Sequence, residues 1–145
     1  MKAFGSVVEF TRQRNADIMR VFRQKFAAAR GLPLPEIYRQ VAESPSSRFW
    51  VSEDRAAIVV AAMQAGRHVP LSTPGKRAMF DEIYRRYLLL RADHPDKSVI
   101  ELVTVIVNQP APSFYFTPGS IRVFINRIIN GYYDSPAYRR APEGE

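Results

Sequence analysis

The feature that most constrains this fold is an internal similarity: a shift of 65 residues aligns residues 12–66 with residues 77–131 without a gap. Identities include Ile18 with Ile83, Phe49 with Phe114, and Gly66 with Gly131. Other aligned positions keep their chemical type, as in the pairing of Trp50-Val51-Ser52 with Tyr115-Phe116-Thr117. A chain built on such a repeat is expected to form two similar units that face the same packing problem.

Both halves carry three helix signals in the same order. Ser, Thr or Pro stands at predicted helix starts, and Gly follows several predicted ends. We expect helices near residues 7–29, 35–43 and 53–65, and again near 74–93, 97–108 and 118–130. The apolar run over 99–107 has strand propensity, but its aligned partner in the first half has a helical pattern. The sequence therefore predicts an all-α fold.

The helices group into two tandem, degenerate three-helix repeats. We predict a first repeat over 1–66, a linker over 67–72, a second repeat over 73–133 and a flexible tail over 134–145. Each repeat has a short extended aromatic segment before its third helix. Three helices whose last two are joined by a turn form the ground plan of helix-turn-helix DNA-binding proteins, so we describe the repeats as helix-turn-helix-like.

The charge favours a polyanionic partner. The chain has a formal net charge of +7 and a pI near 10.0, and most of its basic residues are arginine. Arginine suits phosphate and guanine recognition because its guanidinium is planar and bidentate. We expect nucleic acid, with DNA preferred over RNA. The chain has no cysteine and no apolar stretch of membrane-spanning length, so we expect a cytoplasmic protein without a membrane partner.

The third helices of the two repeats differ on their outer faces. The second copy is predicted to expose Arg122, Asn126, Arg127 and Asn130, side-chain types that read guanine and adenine edges. We interpret this surface as a recognition helix; an ordinary solvated helix face is the alternative. The first copy instead shows Ala57, Ala61 and Ala65. A smooth alanine face favours contact with protein, including a second copy of the chain.

Other basic residues are candidate phosphate contacts. They are Arg12 and Arg14 on the first helix, Lys76 and Arg77 in the first turn of the fourth, and Arg48 beside an aromatic segment. The aromatic segments over 48–51 and 113–116 have three interpretations: anchors of the core, platforms for stacked bases, or short strands that pair with each other. Tyr138, Arg139 and Arg140 in the tail could extend a binding surface.

No enzyme signature is present in the sequence. The two histidines, His68 and His94, lie in predicted connections without a second histidine or cysteine at metal-ligand spacing. We expect no cofactor, no metal site and no small-molecule substrate. The functional prediction is a small basic DNA-binding protein with a regulatory role. The alternative is a helical protein–protein adaptor or assembly protein with no nucleic-acid contact.

Overall fold

A computed structural model describes residues 4–136 and residue 138, with side chains described from residue 7 onward. The helices are α1 (Phe4–Ala28), α2 (Leu34–Glu43), α3 (Glu53–Gln64), α4 (Pro74–Asp93), α5 (Val99–Val107) and α6 (Pro118–Ile129). A 3-10 turn follows over Tyr132–Asp134. Within these described residues there is no strand, and the all-α prediction is confirmed. Most of the predicted tail, including Arg139 and Arg140, lies outside the described residues.

Side-chain caps fix the starts of four helices. Ser52, Thr73 and Thr117 each accept a hydrogen bond from the backbone amide three residues later. At α5, Ser98 Oγ accepts from the Glu101 amide at 3.2 Å, and Glu101 Oε1 accepts from the Ser98 amide at 3.0 Å. This capping box satisfies two amides that would otherwise lack a partner, and it explains why the β-branched sequence of α5 is helical.

The helices divide between two compact units. Unit 1 consists of residues 1–44 and 116–145 and contains α1, α2, α6 and the 3-10 turn. In this unit α6 packs against both α1 and α2. Its core is formed by fully buried aliphatic side chains, namely Ile18, Val21, Ile37, Val41, Ile121 and Ile125. Burial of these side chains is the main stabilising term for the unit.

Unit 2 is the continuous segment 45–115 and contains α3, α4 and α5. Its core combines aromatic side chains with branched aliphatic ones, including Phe49, Phe80, Tyr87, Ile83, Val60 and Val103. Two of its loops are joined by an isolated antiparallel bridge. The amide of Ser46 donates to the Ala111 carbonyl at 3.0 Å, and the reverse hydrogen bond is 3.1 Å long. These two residues are 65 positions apart, the spacing of the internal similarity.

The compact units do not coincide with the segments predicted from the repeat. Consecutive helices α2 and α3 lie in different units, and α3 packs against α4 and α5. A helix-turn-helix made from consecutive second and third helices is therefore not confirmed. The physical reason lies in the extended connection before α3, where Phe49 and Val51 are buried in the core of unit 2. These anchors commit the helix that follows them to unit 2.

Candidate nucleic-acid interface

The α6 face, defined as Arg122, Asn126, Arg127 and Asn130, is exposed along its whole length. Its exposure follows from the helical period, because Ile121 and Ile125 recur four residues apart and are buried. Their burial turns the opposite side of α6 to solvent. No acidic residue occurs in α6, so the two arginine charges are not offset within the helix. The structure thus brings together all four predicted residues of the third helix.

The C-terminal end of the α6 face is held by the turn that follows it. Asn130 caps α6, and Gly131 adopts a left-handed backbone with φ of 74°, which a glycine accepts without steric cost. This bend leads into the 3-10 turn, where the Tyr132 ring centroid lies 4.6 Å from the Arg127 guanidinium carbon. A cation over an aromatic face is stabilised by the ring quadrupole, so Arg127 is oriented before any ligand binds.

Arg14 does not lie on this exposed surface. Its side chain is buried, at 8% exposure, with the guanidinium 4.3 Å from the Phe124 ring centroid. It donates hydrogen bonds to Asn15 Oδ1 at 3.1 Å and to the Tyr133 hydroxyl at 3.4 Å. Arg14 therefore ties α1 to α6 and to the 3-10 turn. The prediction that Arg14 contacts a phosphate is not supported by this placement, because a buried guanidinium is not accessible to a phosphate.

The side chains of the other predicted phosphate contacts differ in exposure. Arg12 is exposed on α1 and belongs to unit 1, like the α6 face. Lys76 and Arg77 are half-buried in the first turn of α4, in unit 2. The Arg77 guanidinium donates to the Val69 carbonyl at 2.7 Å, which ties the segment before α4 to this helix. Of these three, only Arg12 is exposed.

Arg48 acts as an internal brace in unit 2. Its guanidinium donates to the backbone carbonyls of Phe49 at 3.0 Å and Val51 at 2.8 Å, and lies 5.1 Å from the Trp50 ring centroid. Burial lowers the pKa of Arg48 from its ordinary value, and the charge of Glu53 partly opposes that shift. These contacts fix the shape of the extended segment. They also account for the position of Arg48 without a bound phosphate.

The aromatic segments belong largely to the core. Phe49, Trp50 and Phe114 are buried, while Tyr115 and Phe116 are half-buried. This burial supports the core-anchor interpretation over base stacking for the three buried rings, since a stacking platform must be open to the ligand. The pairing interpretation is met only by the Ser46–Ala111 bridge, which precedes the aromatic residues in both segments.

The predicted alanine face of α3 is only partly open. Ala61 and Ala65 are exposed, but Ala57 is half-buried and packs against the core of unit 2. The most exposed large side chain of α3 is Ile58, at 64% exposure. The sequence-based prediction of the outer face of α3 did not include Ile58. The signal for this exposure was present in the sequence. Ile58 lies two residues from both Ala56 and Val60, which line the buried stripe of α3.

The fold defines an all-helical protein made of two three-helix units. No known protein family, curated protein or solved structure matches the chain. Across the residues that the structure describes, no three His, Asp or Glu side chains lie close enough together to hold a metal ion. Within the same residues, every helix is too short or too polar to cross a bilayer.

Proposed function

We propose that this chain is a small, basic nucleic-acid-binding protein, and that DNA contacts the α6 face of unit 1. The observation that carries the proposal is the joint exposure of two arginines and two asparagines on a helix without acidic residues. Among the residues that the structure describes, unit 1 also holds the larger share of the excess charge, with nine basic and five acidic residues against nine and seven in unit 2. This asymmetry favours a polyanion at unit 1.

The chemistry of the α6 face suits base edges as well as phosphates. Arg122 and Asn126 are four residues apart and so share one side of the helix. Arginine pairs with guanine O6 and N7, and asparagine pairs with adenine N6 and N7, in a major groove wide enough for a helix. Arg127 and Arg12 are then assigned to backbone phosphates. A regulatory role, through occupation of a DNA site, follows from base reading.

We also propose that the chain consists of two degenerate three-helix repeats whose third helices are exchanged between units. In support, α3 and α6 have bounds that differ by 65 residues at both ends. The caps Ser52 and Thr117 share that spacing, as do Gly66 and Gly131, both with left-handed φ near 75°. The proposed binding unit then resembles a helix-turn-helix in its helix count but takes its third helix from the other repeat.

The test is fluorescence anisotropy with labelled duplex and single-stranded DNA across a salt series. Wild type is compared with the double variant Arg122→Ala/Arg127→Ala. We expect log affinity to fall linearly with log salt, and the double variant to reduce the slope on duplex DNA by about 0.9, for the one phosphate contact of Arg127. Loss of the phosphate contact of Arg127 together with the base contact of Arg122 should also weaken binding by about tenfold or more at physiological salt.

The matched control removes the same net charge elsewhere. Arg39 pairs with Glu36 and Glu43 on α2, and Arg85 pairs with Glu82 on α4. The variant Arg39→Ala/Arg85→Ala should leave the salt slope within the error of wild type. Equal losses in the two double variants would show that net charge, and not the α6 face, governs binding. Absence of binding at low salt would refute the proposal.

A protein–protein adaptor remains the second candidate, because unit 2 exposes several large apolar side chains. They include Ile58 on α3, Leu88 and Leu89 on α4, and Val105 on α5. Contacts of this type release few counterions, so a partner held through them should respond weakly to salt. Salt-insensitive association with protein, together with no DNA binding, would favour this candidate.

A further inference from the structure

An open apolar groove lies along the outer side of α4 and α5 in unit 2. It has a volume of about 580 Å³. Its wall includes Leu90, His94, Lys97, Ile100, Thr104 and Val105. Ile100 is 40% exposed and Val105 52% exposed, so both stand up at its edge. The surface therefore presents an apolar ridge directly beside an apolar hollow.

This surface is not required by the fold of a three-helix unit. At the matching position of the first half, 65 residues earlier, Lys25 stands where the groove wall has Leu90. Likewise Pro35 and Gln40 stand where α5 has Ile100 and Val105. Unit 1 forms its own α1–α2 packing with those more polar residues. Leu90 and Leu102 in the groove wall pack in the core of unit 2, whereas the exposed Ile100 and Val105 call for an explanation outside that packing.

We infer that the groove between α4 and α5 is the contact surface of a homodimer, in which a second copy of this chain packs its own groove face to face. A two-fold contact is isologous, so the surface must be complementary to itself. The adjoining ridge and hollow meet this requirement, because the Ile100 and Val105 ridge of each copy can enter the hollow of the other.

The charges at the groove are also self-complementary. Lys97 lies just before the cap of α5 and Glu101 lies in its first turn, and both are exposed and line the same groove. A two-fold axis that passes between them brings Lys97 of each copy to Glu101 of the other, which forms two ion pairs from one patch. A copy of this chain therefore satisfies the groove in both shape and charge. The inference does not depend on the proposed nucleic-acid binding.

The test is sedimentation equilibrium of the full chain over a wide concentration series, without nucleic acid. The main variant is Val105→Glu, which places a carboxylate in the apolar contact and should raise the dimer dissociation constant by about tenfold or more. The matched control is Ile58→Glu, since Ile58 is a β-branched residue on an exposed helix face of the same unit, outside the groove lining. The control should dimerise like wild type.

Charge reversal tests the arrangement of the two copies. Lys97→Glu should weaken the dimer because it faces two carboxylates toward each other, and Lys97→Glu/Glu101→Lys should restore part of the affinity. Circular dichroism of each variant checks that the helices remain, since Glu101 also takes part in the cap of α5. A wild-type chain that stays monomeric at the highest concentration would overturn the inference. Equal weakening by Val105→Glu and Ile58→Glu would overturn it as well.

Discussion

Gly75 provides the sharpest test of the packing in unit 2. It is the second residue of α4, after the cap Thr73 and Pro74. A Cβ added to Gly75 would lie 2.5 Å from the carbonyl oxygen of Tyr115 and 3.4 Å from its carbonyl carbon. Nonbonded carbon and oxygen atoms do not approach that closely, so Gly75→Ala requires the backbone at Tyr115 to move.

The backbone at Tyr115 has little freedom to give way. Tyr115 has a left-handed φ of 62°, which is uncommon for a residue with a side chain. Its amide donates to Ser113 Oγ at 2.9 Å, and its ring stacks on buried Phe49 with centroids 6.1 Å apart. Movement of the Tyr115 carbonyl would disturb these contacts. The close approach of two backbone segments is therefore the reason that position 75 is glycine.

The magnitude follows from two opposing effects. Gly→Ala in a helix normally stabilises by about 0.5–1 kcal/mol, because the unfolded chain loses conformational freedom. Overpacking against a fixed neighbour costs about 1–3 kcal/mol, and a backbone neighbour belongs at the upper end of that range. We expect Gly75→Ala to lower the free energy of unfolding by about 1–2 kcal/mol. For a chain of this length, that corresponds to a Tm lower by about 2–8 °C.

Gly119 supplies a matched control, because Thr117-Pro118-Gly119 begins α6 as Thr73-Pro74-Gly75 begins α4. A Cβ at Gly119 would meet only Thr117 Oγ1, at 3.9 Å. Gly119→Ala should therefore be stabilising, by about 0.5 kcal/mol. Urea denaturation followed by circular dichroism measures both variants. If Gly75→Ala proved as stable as Gly119→Ala, the close approach of Tyr115 to α4 would be refuted.

Three further predictions concern assembly, burial and pH. We expect that a chain cut at a protease site inserted between the exposed residues Arg67 and His68 still elutes as one species in gel filtration. Each unit contains helices from both sides of the cut, so the two halves should stay associated. Separation of the halves would contradict the proposed exchange of third helices. Arg14→Met should destabilise by about 1–3 kcal/mol through lost buried hydrogen bonds, whereas Arg12→Met, at an exposed position, should stay within about 0.5 kcal/mol in the same denaturation assay. Hydrogen bonds from Arg85 and Arg86 lower the pKa of Glu82 to about 2. The contribution of these ion pairs to the free energy of unfolding is therefore complete above about pH 4.5 and is lost as the pH falls toward 2. The stability difference between wild type and Glu82→Gln should shrink over that window, and a constant difference would count against the ion pairs.

The sequence predicts the helices well because their starts are encoded locally. Ser52, Thr73 and Thr117 cap their helices in the structure, and the four-residue spacing of Ile121 and Ile125 identifies the buried side of α6. The prediction of α5 succeeded because its aligned partner in the first half had a helical pattern. Each of these signals lies within one or two turns of chain, where propensity and capping determine the outcome.

The placement of α3 in unit 2 and of α6 in unit 1 could not be predicted in this way. The apolar stripes of α3 and α6 are alike, and nothing in either stripe states which pair of helices will cover it. Burial of Arg14 was missed for a related reason. Arg12 and Arg14 are both basic residues on one helix, and only the packing of Phe124, 110 residues away in the chain, distinguishes them. Such contacts depend on tertiary structure that local patterns do not specify.

The effects of the two proposed surfaces on DNA binding can be measured separately. The α6 face belongs to unit 1 and the α4–α5 groove to unit 2, so Val105→Glu removes no charge from the α6 face. If both proposals hold, a dimer presents two α6 faces to a DNA site with two half-sites, and Val105→Glu should weaken binding to such a site at concentrations where wild type is dimeric and the variant is monomeric. Binding to a single half-site should be unchanged. Anisotropy with one-site and two-site duplexes measures the difference, and equal loss on both duplexes would show that Val105→Glu acts through the fold and not through dimerisation.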